Sequence, residues 1–232
     1  MLTARTRLVA LLGHPVERSL SPLMQNAAFA ARGLDWAYVA CDVEPELLED
    51  AVRGLAAAGF AGANVTIPHK TAAAELCDEA DGDAVNTLLF PDGRVLGFNT
   101  DREIVRGIEA EQVCLVGAGG AARALLPGLG GDVRTFTRGG DWPPDASGCD
   151  LIVNATPVTD ELLVEPQPGQ IVVDLAYRPD GTETALVAAA RVAGCETVDG
   201  LEALVRQGAA SFERWTGVPA PVDVMRGALR RP

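Results

Sequence analysis

The sequence predicts an α/β protein of two lobes, and three observations predict it. Short apolar runs alternate with helical stretches through the first hundred residues. A second alternation of the same kind starts at Gln112. Within it, Gly117-Ala118-Gly119-Gly120-Ala121-Ala122 separates an apolar strand from an alanine-rich helix. Strand–helix alternation implies largely parallel sheets with helical crossovers.

In the first series, 7–13 reads as a strand and 22–33 as a helix that ends at a glycine. Residues 36–43 read as a strand, 45–59 as an amphipathic alanine-rich helix and 62–67 as a third strand. The β-α-β-α-β order predicts a mostly parallel sheet. In the second series, 113–116 is a strand, 121–129 a helix and 133–136 a strand. Strands at 151–153 and 171–175 follow, then a helix near 183–193 and a strand at 195–198. Helices at 201–215 and 222–230 close the chain. The expected division is 1–101, 102–200 and 201–232, with the last segment returning to the first lobe.

Composition narrows the function. The chain is 48% hydrophobic and 22% charged, as in an ordinary globular protein. It has no run of the ~18 apolar residues that a membrane helix needs. The apolar run Leu8 to Leu12 is too short for a signal sequence, so a cytoplasmic protein is expected. A net charge of −13 without a basic cluster argues against nucleic acid as partner. Five scattered cysteines with no CxxC and only two histidines argue against a metal site or disulfides and favour free thiols.

The glycine turn fits GxGxxA, which lets backbone approach a pyrophosphate set on a helix N-terminus; a merely tight βα turn is the plainer alternative. Gly117, Ala118, Gly119, Gly120 and Ala121 are thus candidate cofactor contacts in a Rossmann-like lobe. An NAD site would carry an acidic residue at the end of the second strand. Here Thr137 and Arg138 stand there, and a guanidinium suits a 2′-phosphate, which favours NADP. Arg138 as a solvated loop charge, with Asp141 nearby, is the competing account. In the first lobe, Ser19 and Ser21 precede a helix opened by Pro22, and Ser21 is placed to cap it. Asn64, Thr66, Asn86, Thr87, Asn99, Thr100 and Asp101 supply short polar side chains suited to a small polyhydroxylated ligand. Lys70 is the sole lysine among 19 basic residues; unlike arginine, a lysine can be tuned to exchange a proton. Asp101 can serve beside it as a carboxylate, as a helix cap, or as both.

These residues together resemble the shikimate dehydrogenase family. The resemblance rests on Ser19-Leu20-Ser21-Pro22, Asn64-Val65-Thr66-Ile67-Pro68-His69-Lys70, Ala84-Val85-Asn86-Thr87, Asn99-Thr100-Asp101 and the glycine turn. It continues through Asn154-Ala155-Thr156-Pro157, Asp174-Leu175-Ala176-Tyr177-Arg178-Pro179 and Gln207-Gly208-Ala209, ending at Phe212-Glu213-Arg214-Trp215-Thr216-Gly217. It implies an N-terminal substrate lobe, a dinucleotide-binding lobe and NADP-dependent reduction of 3-dehydroshikimate to shikimate. It implies that Lys70 and Asp101 are catalytic and that Ser19 and Ser21 hold the substrate carboxylate. Asn64, Thr66, Asn86 and Gln207 would line the hydroxyl-binding part, with Tyr177 closing over the site in the cleft between lobes. Thr156 and Gly200 join the cofactor residues. Monomer or homodimer is left open.

The chain departs from the family pattern in four places. Arg18 and Gln25 replace the two histidines of HSxSPxxHN, and Arg102 replaces the glycine after Asn-Thr-Asp. The helix between Asp101 and Val113 is shortened. Between Arg138 and the strand at 151 stand only twelve residues, too few for the helix and strand of a βαβ crossover, so the dinucleotide lobe is expected to be reduced by one βα unit. Quinate or an aminoshikimate as substrate, or a ligand-sensing homologue with weak activity, are the alternative readings.

Overall fold

A computed structural model describes residues 2–230. The chain divides into two units: the first runs to Asp101 and takes up the chain again at Val205, and the second spans Arg102–Leu204.

In chain order the first unit holds β1 (Arg7–Gly13), α1 (Ser21–Ala31), β2 (Trp36–Asp42), α2 (Leu48–Ala57), β3 (Gly62–Val65), α3 (Lys70–Glu75), β4 (Glu79–Ala80), β5 (Thr87–Leu89) and β6 (Leu96–Phe98). The apolar run 8–12 makes β1 the centre of the parallel part, with β2 and β3 on either side of it. Glu49 and Asp50 favour the positive end of α2, while Leu48 and Val52 bury its inner face against Leu12, Val65 and Leu88. The six strands lie in the order β2-β1-β3-β5-β6-β4. The expected mostly parallel sheet is found in β2-β1-β3 and again where β4 pairs with β6, and β5 alone departs from it, running antiparallel to both β3 and β6. Two three-residue strands joined through Pro91-Asp92-Gly93, with Asp92 at φ 51° and Gly93 at φ 78°, make a hairpin that needs no crossover helix.

The second unit holds β7 (Gln112–Val116), α4 (Gly120–Leu125), β8 (Asp132–Phe136), β9 (Leu151–Asn154), β10 (Ile171–Asp174), α5 (Ala185–Val192) and β11 (Glu196–Val198). All strand pairs are parallel, in the order β11-β10-β9-β7-β8. Successive residues of β7 enter opposite cores: Val113 and Leu115 on one face, Cys114 and Val116 on the other. That is why a parallel strand covered on both faces reads as a continuous apolar run. Residues 137–150 contain neither helix nor strand, and β8 is left as the sheet edge, as the shortened sequence requires.

The long helix α6 (Gly200–Thr216) crosses the division between the units, and α7 (Val222–Leu229) follows it. From Val205 onward α6 packs on the first unit. Phe212 stacks on Phe29 with centroids 5.4 Å apart, and Trp215 Nε1 donates to the Leu88 carbonyl at 3.0 Å. Gly62 makes that fit possible, since a Cβ there would lie 2.1 Å from the Leu88 oxygen and 2.6 Å from Trp215 Nε1. Among the described residues no helix is long and apolar enough to cross a membrane.

At the C-terminal ends of the second sheet, the buried carboxylate of Asp174 ties three segments together. It accepts from Asn154 Nδ2 at 2.9 Å, the Ala176 N–H at 3.0 Å and Thr184 Oγ1 at 2.5 Å; Thr184 also caps α5. Burial, helped by the nearby Asp199 charge, holds the Asp174 carboxyl above its usual range despite these bonds.

Two outcomes follow for stability. Gly62→Ala collides with main chain and should cost ~1–3 kcal/mol or more, whereas Gly54→Ala on the exposed face of α2, with no atom near its Cβ, should gain ~0.5–1 kcal/mol; urea melts of both variants read the two signs. A carboxyl raised in the folded state stabilises below its ordinary pKa and loses that contribution as pH rises through the folded value. Asp174→Asn should therefore gain stability relative to the parent as pH goes from about 4 to 7, and a difference in melting temperature that does not change with pH would contradict it.

Candidate active site

The loop after β3 ends at His69, whose buried ring donates from Nε2 to the Val43 carbonyl at 2.8 Å. That anchor sets Lys70 at the first residue of α3, from where Nζ reaches Asp101 Oδ2 at 2.5 Å, with side chains 11% and 7% exposed. Asp101 lies in the 3-10 turn Thr100–Ile104. It is not the cap of that turn: Asn99 Oδ1 accepts the Asp101 N–H at 3.1 Å, so the Asp101 carboxylate is left for other partners. One of them is Asn86, whose Nδ2 donates to Asp101 Oδ1 at 2.7 Å and to Gln207 Oε1 on α6 at 3.3 Å. The Asn86 oxygen accepts from the Thr100 N–H at 2.8 Å, from its hydroxyl at 3.0 Å and from Thr87 Oγ1 at 3.2 Å.

Behind this group, Asn64 Nδ2 donates to the Asn86 carbonyl at 2.8 Å and faces Thr87 and Ser211, while its oxygen accepts from the Tyr38 hydroxyl at 2.8 Å. Thr87, Thr100 and Ser211 share hydroxyl hydrogen bonds of 2.8–3.2 Å and are all buried. Two residues of this network, Tyr38 and Ser211, were not singled out from the sequence. Ser211 had one local signal, its place a single turn beyond Gln207 on a helix; Tyr38 is brought in only by the pairing of β1 with β2.

Ser19, Ser21 and Thr66 form no side-chain hydrogen bond with that group among the described residues. The sequence placed Ser21 as a cap, and the structure corrects this. Leu20 is the capping position and α1 has no side-chain cap. Instead Ser19 Oγ accepts the Ser21 N–H at 3.3 Å, closing the turn into the helix, and the Ser21 hydroxyl has no protein partner among the described residues. Thr66 is fixed by its main chain, donating to Leu12 at 2.8 Å and accepting from the His69 N–H at 2.9 Å.

In the second unit Gly117 has φ 105°, and a Cβ on it would meet Thr156 Cγ2 at 3.1 Å and the Ala155 oxygen at 3.2 Å. Conformation and space both demand glycine. Nothing lies within 4 Å of a Cβ on Gly119, so the turn is open there, beside Ala118 and ahead of Gly120 and Ala121 in the first turn of α4. The first N–H groups of a helix have no acceptor within it, so the turn can receive an anion. Thr156 is held by Asn154 Oδ1, which accepts its N–H at 3.0 Å and its hydroxyl at 2.7 Å. Gly200 is pressed under the loop after β10, where a Cβ would come 2.2 Å from the Ala176 oxygen and 2.9 Å from Tyr177 Cβ. Tyr177 is half-buried above it.

Thr137 and Arg138 follow β8 in a tight turn closed by the Thr137 N–H to the Asp141 carbonyl at 3.1 Å. The carboxylate that meets Arg138 is Glu161, at 2.9 Å, not Asp141, and the guanidinium carbon lies 5.5 Å from the Trp142 ring centre.

Residues 11–88 match the shikimate dehydrogenase substrate binding domain and residues 200–230 the shikimate 5′-dehydrogenase C-terminal domain. A shikimate dehydrogenase (NADP(+)) of Methanopyrus kandleri is 43% identical, with 97% of this chain and 96% of the relative covered. That alignment runs over 279 positions, more than the 232 residues of the chain, so the relative carries segments that this chain lacks. A crystal structure of shikimate dehydrogenase in complex with NADP+ superposes with a TM-score of 0.88 at 34% identity, covering 99% of this chain and 96% of that one. The Thermus thermophilus shikimate 5-dehydrogenase in complex with NADP(H) and shikimate gives a TM-score of 0.84 at 33% identity, with 97% and 99% covered. On this similarity along nearly its whole length, the chain belongs to the shikimate dehydrogenase family.

Proposed function

We propose that the protein is an NADP-dependent shikimate dehydrogenase that interconverts 3-dehydroshikimate and shikimate, a step of aromatic amino acid biosynthesis, with the substrate on the first unit and the dinucleotide on the second. The observation that carries this reading is the nearly buried Lys70–Asp101 pair in a chain with no other lysine. A protein that only sensed the ligand would have no use for an acid–base pair kept from water.

The residues of the second unit fit the cofactor. The open turn at Gly119 offers main-chain donors to a pyrophosphate, and Arg138 offers a planar donor fork to a 2′-phosphate. NADP, when bound, supplies or accepts the hydride. The chain supplies the proton. As the ketone oxygen gains charge on reduction, Lys70 Nζ stabilises it and delivers a proton; in the oxidative direction the same nitrogen takes the hydroxyl proton. The Asp101 carboxylate holds Lys70 Nζ in place, and Asn86 fixes the direction in which Asp101 points.

Ser19 and Ser21 receive the substrate carboxylate. Ser19 Oγ accepts from the main chain and keeps its hydrogen to donate, and the Ser21 hydroxyl is uncommitted. Thr66 and Gln207 contact substrate hydroxyls. Asn64 has both amide hydrogens engaged and offers only a second lone pair on its oxygen. Asn86 is fully engaged, so its part is to position Asp101, a revision of the substrate contact that the family resemblance implies. Tyr177, Thr156 and Gly200 shape the nicotinamide end.

An absorbance assay of NADPH formation with shikimate, quinate and an aminoshikimate tests the activity and its substrate together. Turnover of shikimate with NADP at the highest kcat/KM supports the reading, and a preference for quinate or no turnover at all contradicts it. Lys70→Arg keeps a cation beside Asp101 but holds its proton on a guanidinium, which does not give it up at working pH. It should lower kcat by ~10²–10⁴-fold with shikimate affinity largely kept; full activity in this variant would remove Lys70 from the chemistry.

A further inference from the structure

The sequence offers Arg138 alone as the discriminator between NADP and NAD, but the fold brings a second charge to the same place. Glu161, in the loop after β9, puts Oε2 2.9 Å from an Arg138 guanidinium nitrogen. β8 and β9 are the two neighbours of β7 in the sheet. The ion pair therefore joins the chain beyond one flanking strand to the chain beyond the other, at the C-terminal end of the parallel strands, where the glycine turn also lies. The guanidinium carbon also lies 5.5 Å from the centre of the Trp142 ring, itself partly exposed. Arg138 thus meets both an aromatic ring and a carboxylate at the position where a 2′-phosphate is to be recognised.

We propose that Glu161 is a second cofactor-specificity residue, one that opposes Arg138. A phosphate dianion and the Glu161 carboxylate compete for one guanidinium fork, and they repel one another once both are close to it. An exposed pair, here 65% and 61% accessible, is weak enough to open. The carboxylate stays on its loop after opening and continues to act on the phosphate. A nucleotide without the 2′-phosphate suffers neither effect. Glu161 therefore lowers the preference for the phosphorylated cofactor that Arg138 creates, and NAD remains a usable second cofactor. The shortening of 137–150 fits this arrangement, because no βα unit stands between the Arg138 turn and the Glu161 loop.

The proposal rests on NADP as the cofactor, and its test separates the two. Adenosine 2′,5′-bisphosphate and 5′-AMP carry the distinguishing group without any turnover, and calorimetry gives their affinities for the parent, Glu161→Gln and Arg138→Ala. Both side chains are exposed, so neither variant threatens the fold. Glu161→Gln should tighten the bisphosphate by about five-fold, the effect of one charge removed near the surface, and leave 5′-AMP where it was. If Glu161→Gln tightens both ligands equally, or neither, while Arg138→Ala still weakens the bisphosphate, the discriminating role of Glu161 is wrong and the NADP reading stands. If Arg138→Ala leaves the bisphosphate untouched, Arg138 does not read the 2′-phosphate and this proposal fails with it, whereas a parent protein that binds the bisphosphate no better than 5′-AMP would count against NADP itself.

Discussion

Lys70 and Asp101 sit in a place that is costly for both. At 11% and 7% exposure the two charges have given up most of their hydration, and their mutual attraction offsets that loss only if the remaining lone pairs of the carboxylate also find donors. Asn86 supplies that donor, and its own oxygen is pinned by the Thr100 N–H. Thr100 and Thr87 are pinned in turn by Ser211 on α6, and Asn64 braces the Asn86 main chain. The active lysine is therefore the outer member of a buried polar network drawn from β3, β5, the turn after β6, and α6. Such networks are rigid when every member is satisfied and costly when one is not. The position of Nζ is thus set through Asp101 by residues that make no contact with Lys70's side chain themselves.

The second unit solves a different problem, close approach without collision. Gly200 stands where any Cβ would strike main chain, Gly117 takes a φ of 105° that excludes one, and Thr156 is held against Gly117 through Asn154 and ultimately Asp174. Gly117 and Thr156 follow β7 and β9, and Asp174 ends β10, all in the interior of the sheet. What the shortened chain has given up lies at the outer edge beyond β8, where a short turn carries Arg138 and Trp142. The glycine turn and Thr156 are thus supported from the core, and Arg138 is left among surface charges.

Most of the fold is legible in the sequence because it is local or periodic. The apolar runs of β7, β9 and β10, the glycine turn and the helix starts are each signalled within a few residues. The strands that escape notice, β4, β5 and β6, are two or three residues long, too short for an alternation to register, and the antiparallel pairing of β5 is the part of a mostly parallel sheet that the sequence does not announce. At the site, residue type identifies Lys70, Asp101 and Asn86, but not their division of labour. Asp101 looks like a cap until Asn99 is seen to take that place, and Ser21 looks like a cap until its N–H is seen bonded to Ser19. Ser211 and Glu161 lie far along the chain from the residues they meet, and no spacing rule links Glu161 to Arg138 across 23 positions.

If Lys70 works at the reacting oxygen, Asp101 holds it there and Asn86 holds Asp101. Because the chain has a single lysine, protein labelled with ¹³C at lysine Cε gives one side-chain NMR signal. The account predicts a signal of restricted motion that shifts on adding shikimate, and that in Asn86→Ala becomes mobile and loses most of its response to the substrate. A sharp, solvent-like signal in the parent protein, indifferent to shikimate and to the loss of Asn86, would contradict it.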